Sequence, residues 1–327
     1  MCFAKTQASH RFIIDVIESD PQAVRKPSNP PLPLLGLFAA LVLFPGLVLG
    51  ADAAAPWSAD LNRIRQMATL IPGPRPLRVN VIKFAESRRT KNFAVKGSPA
   101  EPSVQARTAY QIVYAEGAVM VDTGMDLATH RFFGRGTEEP YFPEAAAHVA
   151  KALREARAII VTHEHGDHVA GLIRSESFSE LAPKTVLTRS QLDTLLSTPQ
   201  MPELRPTPEM AAKLHVIDYA DVMAFAPGIV LIKAPGHTPG SQMVYVALQS
   251  GKELLLAGDV AWHMDGVRLN RAKDAPWIKE PAELMAAELD WLNGLDRTEK
   301  NLAIVISHDE EQRVDYIARG ILGDGFE

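Results

Sequence analysis

Ile159–Gly171 reads Ile-Ile-Val-Thr-His-Glu-His-Gly-Asp-His-Val-Ala-Gly. An apolar run, Ala158–Val161, stops at Thr162, and four potential metal ligands follow within six positions: His163, His165, Asp167 and His168. Core packing does not ask for such a cluster. Three imidazoles and a carboxylate at a strand exit are costly to desolvate unless a cation sits among them. Neutral imidazole nitrogens with a carboxylate suit zinc or a similar borderline metal. A His-rich polar turn is the competing reading, and it accounts for neither the spacing nor the place after a buried-type strand.

Outward from this stretch, three more strand-like runs end in ligand-type residues. Ile229–Ala234 leads through Pro235-Gly236 to His237. Glu253–Ala257 leads through Gly258 to Asp259, and Leu302–Ile306 leads through Ser307 to His308 and Asp309. Each has an apolar strand, a small residue, then a ligand. Strand ends are rigid places from which distant parts of a chain converge on one point. Taken singly, each such residue reads as a turn or cap. Taken together they add two histidines and a carboxylate, enough for two metals. The strand Ala118–Val121 ends similarly, in Asp122-Thr123-Gly124.

The rest of the chain alternates between the two periodicities. Helices are expected at Trp57–Met67, Pro143–Ala156, Ser190–Leu196, Pro281–Leu295 and Glu310–Ile317. Further strands are expected at Leu77–Phe84, Thr108–Tyr114, Lys184–Leu187, Leu214–Ile217, Val222–Phe225 and Gln242–Ala247. Glu86–Ala106 is polar and turn-rich and reads as a loop. Leu127–Tyr141 reads as irregular, and Thr198–Pro208, with four prolines, as a surface loop. The order of elements argues for α/β layering with mixed sheets.

Composition bounds the function. With 327 residues, 46% of them hydrophobic, the chain can bury a large core. A net charge of −5 offers no basic face, so nucleic acid is not an expected partner. The single cysteine, Cys2, excludes a disulfide framework. Residues 1–55 read as a signal peptide with a long n-region: Lys5, Arg11, Arg25 and Lys26 precede the apolar Leu34–Leu49, and Ala51-Asp52-Ala53 fits a cleavage site. The apolar run is shorter than the roughly 20 residues that span a bilayer. Residues 56–327 are then expected as a single periplasmic or secreted domain with no stable membrane span after cleavage. An uncleaved anchor is the alternative.

His163-Glu-His165-Gly-Asp167-His168, then His237, Asp259 and His308 in that order, resembles the metallo-β-lactamase superfamily. The resemblance runs from about Leu77 to His308. It implies an αββα sandwich of two facing mixed β-sheets flanked by helices, with the metals at one edge. It implies two zinc ions, with manganese, iron or cobalt as alternatives. His163, His165 and His237 would hold the first metal, Asp167, His168 and His308 the second, and Asp259 would bridge them. Asp167 and Asp259 are the expected proton carriers, while Asp122, Thr162 and Asp309 are candidates to orient the imidazoles. Phe132, Phe133, Tyr141 and Trp262 are expected to form a partly apolar substrate pocket.

Within the superfamily, Gly258-Asp259-Val-Ala-Trp262 and Ser307-His308-Asp309 look most like the acyl-homoserine-lactone lactonase group. Those enzymes often carry tyrosine where this chain has Trp262, whose indole is a donor only. The implied activity is that of an exported dinuclear-zinc hydrolase opening a lactone or related small-molecule ester by attack of metal-activated hydroxide. A zinc β-lactamase, a thioesterase and a non-catalytic metal-binding domain are the competing readings.

Overall fold

The apolar strands assemble into two mixed sheets. The computed structural model describes residues 57–327, so the expected signal segment lies outside the described residues. The first sheet contains β1 (Arg78–Thr90), β2 (Pro102–Tyr114), β3 (Gly117–Val121), β4 (Ala158–Ile160), β5 (Thr185–Thr188) and β6 (His215–Ile217). The second contains β7 (Val222–Ala226), β8 (Ile229–Lys233), β9 (Gln242–Ala247), β10 (Glu253–Leu256) and β11 (Leu302–Val305). The short β12 (Gly323–Asp324) returns to the edge of the first, giving the orders β12-β1-β2-β3-β4-β5-β6 and β11-β10-β9-β8-β7.

Strand alternation builds four layers. Ile82 and Phe84 of β1, Met120 of β3 and Ile159 of β4 face the helices Pro143–Glu155 and Gly166–Ile173 in one core. Met243 and Tyr245 of β9, with Leu255 of β10, face the helix Ala282–Thr298 in the other. The residues between them along each strand, such as Val79, Val81, Val244 and Val246, are also buried and point to the opposite face, where the sheets meet. A strand buried on both faces loses the polar half of its alternation. Among the described residues no helix is long and apolar enough to cross a membrane.

Strand direction gathers the site at one edge. β3 pairs parallel with β4, and β10 pairs parallel with β11. β8 runs antiparallel to β9, and β9 to β10, so β8 and β10 point the same way. Two bonds tie the sheets together beside that edge: Gln242 N–H donates to the Thr162 carbonyl at 2.9 Å, and Gln242 Nε2 to the Val161 carbonyl at 2.8 Å.

Three sequence expectations are corrected. Glu86–Ala106 is not a loop: β1 continues to Thr90, a helical turn covers Lys91–Ala94, and β2 starts at Pro102. Its polar residues are tolerated in strands because they find ionic partners, Glu86 with Lys83 on the same strand at 2.9 Å and Arg89 with Glu139 of the segment before Tyr141. Leu127–Gly134 is a helix rather than irregular chain, because Asp126 caps it by accepting from Thr129 N–H at 2.9 Å. Within Thr198–Pro208, Pro202–Leu204 forms a 3₁₀ turn that buries Met201 and Leu204.

Candidate metal centre

Each ligand is delivered by the turn after a strand. β4 ends and the chain passes through Thr162-His163 into the helix Gly166–Ile173, with His165 in the capping position. Gly258, with φ of 57°, turns β10 so that Asp259 points back at the cluster; left-handed backbone of this kind favours glycine. His308 follows β11 after Ile306 and Ser307. Three groups of ligand atoms result: His163, His165 and His237; His163, His168 and Asp259; and Asp167, His168 and His308, each within 4.8 Å of one another.

The distances place the carboxylates between the imidazoles. His237 Nε2 and His165 Nδ1 lie 3.0 Å apart. Asp259 Oδ2 lies 3.0 Å from His308 Nε2 and 3.5 Å from His237 Nε2, and its Oδ1 lies 3.5 Å from His168 Nε2. Asp167 Oδ2 lies 3.3 Å from His168 Nε2 and 3.4 Å from His308 Nε2. His163 Nε2, His168 Nε2 and Asp259 Oδ1 are buried without a hydrogen-bond partner. Buried polar atoms are almost always satisfied, so three orphans aimed at one point fit a cation binding there.

Four of the five imidazoles have their outer ring nitrogen held, which turns the inner one toward the cluster. His168 Nδ1 donates to Asp122 Oδ2 at 2.8 Å, and His308 Nδ1 to the Ala106 carbonyl at 2.6 Å. His163 Nδ1 faces Thr162 Oγ1 at 3.2 Å, and that hydroxyl donates to Asp122. His237 Nδ1 faces Glu280 Oε1 at 2.5 Å, and Lys273 Nζ reaches the same carboxylate at 2.6 Å. Asp122 has φ of 63°, an unusual backbone state for a residue with a side chain. Its carboxylate accepts from Thr162 N–H at 2.7 Å as well as from His168, so local strain accompanies a fixed acceptor.

Electrostatics keeps most of the histidines neutral. Burial pushes His163 and His237 well below the ordinary imidazole value and takes His165 down to about 4. Burial opposes a charge on His168 too, but the carboxylates of Asp167, Asp122 and Asp259 raise it well above the usual range. Burial acts against the charged forms of Asp167 and Asp259. Arg107 and His168 nevertheless hold the first well below the usual carboxylate range, and His308 and His168 hold the second there.

Not every sequence-derived candidate reaches the cluster. Asp122 and Thr162 touch ligand imidazoles, whereas Asp309 does not: it caps the final helix by accepting from Gln312 N–H at 2.9 Å and holds Met264 N–H at 2.6 Å. Phe133 packs over Gly166, where a Cβ would lie 2.7 Å from its ring, and so borders the ligands. Phe132 stacks edge-on against it at 5.3 Å and is half exposed. Tyr141 belongs elsewhere, because its ring packs in the helix-facing core of the first sheet. Its hydroxyl donates to the Met125 carbonyl at 3.2 Å, and it lines a separate cavity of about 310 Å³ with Phe84 and the helix Pro143–Glu155. Trp262 Nε1 donates to Asp259 Oδ2 at 2.8 Å, so its one donor is spent on the carboxylate. Sequence reading missed Arg107, Lys273 and Glu280. Arg107 carried a faint signal, as a lone charge at the head of an apolar strand; the other two lie in an unpatterned polar stretch and carried none.

The comparisons agree with this geometry. The family model of the metallo-beta-lactamase superfamily matches residues 103–308. The N-acyl homoserine lactonase AiiA of Bacillus thuringiensis subsp. kurstaki is 24% identical over 216 residues, 62% of this chain and 81% of that protein. An N-acyl homoserine lactonase of Bacillus cereus is 25% identical over the same shares. A solved N-acyl homoserine lactone hydrolase, with N-hexanoyl-L-homoserine product bound at its catalytic metal center, superposes with a TM-score of 0.59 at 19% identity, covering 74% of this chain and 96% of that one. AidC, a dizinc quorum-quenching lactonase, superposes with a TM-score of 0.51 at 13% identity, covering 73% and 91%. At these identities the structural likeness establishes the sandwich fold.

Proposed function

The chain belongs to the metallo-β-lactamase superfamily, and from that premise we propose that it is a two-zinc hydrolase opening a lactone or a closely related ester. It is a metal-dependent hydrolase of that superfamily. The observation that carries the finer reading is Asp259, a buried carboxylate whose two oxygens face His308, His237 and His168, members of both ligand groups. A single carboxylate serving both groups favours a dinuclear centre over a mononuclear one. The lactonases named above support the lactone as substrate class.

Two divalent cations held by these residues would acidify a water and polarise the substrate carbonyl. The chain's own part is placement and proton traffic. Water oxygen bonds to the carbonyl carbon, the ring C–O bond breaks, and the water proton ends on the leaving alkoxide, giving a hydroxy acid. Asp167 and Asp259 are the carboxylates placed to carry that proton, since both stand among the ligand imidazoles. Trp262 is a positioning residue: its N–H fixes the rotation of the Asp259 carboxylate. Phe133 supplies an apolar wall beside His165 for an acyl group.

Export is part of the reading, supported by the apolar Leu34–Leu49 and the small-residue site after it. N-terminal sequencing of the protein from its own cell tests it; a mature chain beginning at Met1 would overturn it. Substrate class is tested by a panel of acyl-homoserine lactones, simple lactones, thioesters and a chromogenic β-lactam. Lactones are expected to turn over with the highest kcat/KM. A preference for the β-lactam or a thioester by tenfold or more would replace the lactone assignment.

A further inference from the structure

Among the described residues, one cationic side chain reaches the inner face of the ligand cluster. Arg107 Nη1 lies 2.5 Å from Asp167 Oδ2 and 3.4 Å from His308 Nε2. These are the atoms with which Asp167 and His308 would hold a metal: the same Oδ2 faces His168 Nε2 at 3.3 Å, and the other nitrogen of His308 is already spent on Ala106. The guanidinium thus points into the second ligand group. Among the described residues the first group has no such neighbour. Lys273, its nearest cation, contacts His237 at Nδ1 from the outer side, 3.1 Å away, and is neutralised there by Glu280.

The strand pairing explains how Arg107 comes to be there. The β1–β2 register shifts between Lys83 and Ala85, so that Lys83 pairs with Thr108 and Ala85 with Arg107. A bulge of this kind re-aims side chains next to a site. The tip of the arginine is held by Asp167 and by Ser87 Oγ, 3.2 Å from Nη2, whereas Nε is buried without a partner. The side chain is 15% exposed, so its charge is poorly screened by solvent.

We propose that Arg107 occupies the place of the second cation in the metal-free chain and sets that cation's affinity well below the first's. This rests on the dinuclear reading above. A second divalent ion must take Asp167 Oδ2 from the guanidinium or share it, and in either case meets a fixed positive charge. The first ion meets only neutral imidazoles and Asp259. The chain therefore fills in order, and at limiting metal it holds one ion with the Arg107–Asp167 pair intact.

Stepwise titration of the chelator-stripped full chain with cobalt(II), followed by calorimetry and by the visible absorption of the bound ion, tests this. The unaltered chain should bind in two steps, the second weaker by about a hundredfold or more, because a divalent ion and a poorly exposed guanidinium a few ångströms apart repel strongly. Arg107→Gln and Arg107→Met should tighten the second step at least tenfold and leave the first unchanged. Arg107→Lys, which keeps the charge, should leave the second step weak, and thermal melts of the stripped variants show whether they remain folded. A second step unchanged or weakened in both neutral variants overturns the proposal while leaving two metals in place. If every chain stops at one ion, the dinuclear reading itself falls, and this proposal with it.

Discussion

Asp259 is where structure and chemistry meet at the scale of one residue. Asp259→Asn keeps the shape and removes the charge that both ligand groups share. It should cut kcat by about 10²–10⁴-fold and weaken retention of the second metal, while the thermal melt of the stripped protein moves little. Near-normal turnover with two metals bound would reduce Asp259 to a turn residue. Glu288 makes a separate prediction. It is fully buried beneath the His237 turn, accepts from Gly236 N–H at 2.8 Å, and burial pushes its carboxyl up to about 7. A raised carboxyl contributes stability that is present below the ordinary carboxylate value and is lost as pH rises through about 7. Glu288→Gln keeps the acceptor and cannot ionise. Melting followed from pH 5 to pH 8 in saturating zinc should therefore show the variant gaining on the unaltered chain as pH rises. Parallel curves would mean that Glu288 is not held neutral. At this scale the ligands were legible in the sequence because strand-end histidines and aspartates stand out against apolar runs. Glu280 and Lys273 were not, because they reach His237 from a stretch with no periodicity, and only the folded chain brings them there.

Among the elements, the helix Gly166–Ile173 carries the most function for its length. It presents Asp167 and His168 in its first turn and is pressed against the end of β3, where Gly171 N–H donates to the Gly124 carbonyl at 2.8 Å. A Cβ at Gly171 would run into the Thr123 carbonyl. Helix propensity alone favours Gly171→Ala by about 1 kcal/mol. The backbone clash should outweigh that, destabilising the fold by about 1–3 kcal/mol in urea denaturation and lowering metal affinity as His168 shifts from Asp122. A variant as stable as the parent would show that the helix can slide without loss. The ends of the strands and longer helices that were expected were legible to within a few residues where one face was apolar, whereas the helix Gly166–Ile173 was not foreseen, because its short run is buried nearly all round and shows no helical period. The β1–β2 ribbon was not legible either, because its polar residues are satisfied by ion pairs within β1 and by long-range ones such as Lys83 with Glu310 at 2.7 Å. Polar alternation with such partners looks, in one dimension, like a loop.

Across the whole molecule, two sheets packed face to face leave one edge where β3, β4, β8, β10 and β11 all end, and every ligand leaves the fold there. The sandwich supplies rigidity from its buried strands, and the turns after them supply the chemistry. The order of elements suggested only α/β layering with mixed sheets, because strand pattern does not encode how sheets stack; the facing sandwich was implied by the resemblance of the ligand order to the metallo-β-lactamase superfamily. The extent of the apolar pocket was less legible: Phe133 borders the ligands while Tyr141 lines another cavity, a division made by packing that sequence spacing does not encode. Metal content is the sharpest measure of the two-metal centre. Elemental analysis of protein purified without chelator and then equilibrated with excess zinc should give close to two zinc ions per chain, falling toward one in Asp167→Ala. No bound metal in either preparation would contradict a metal centre at these residues.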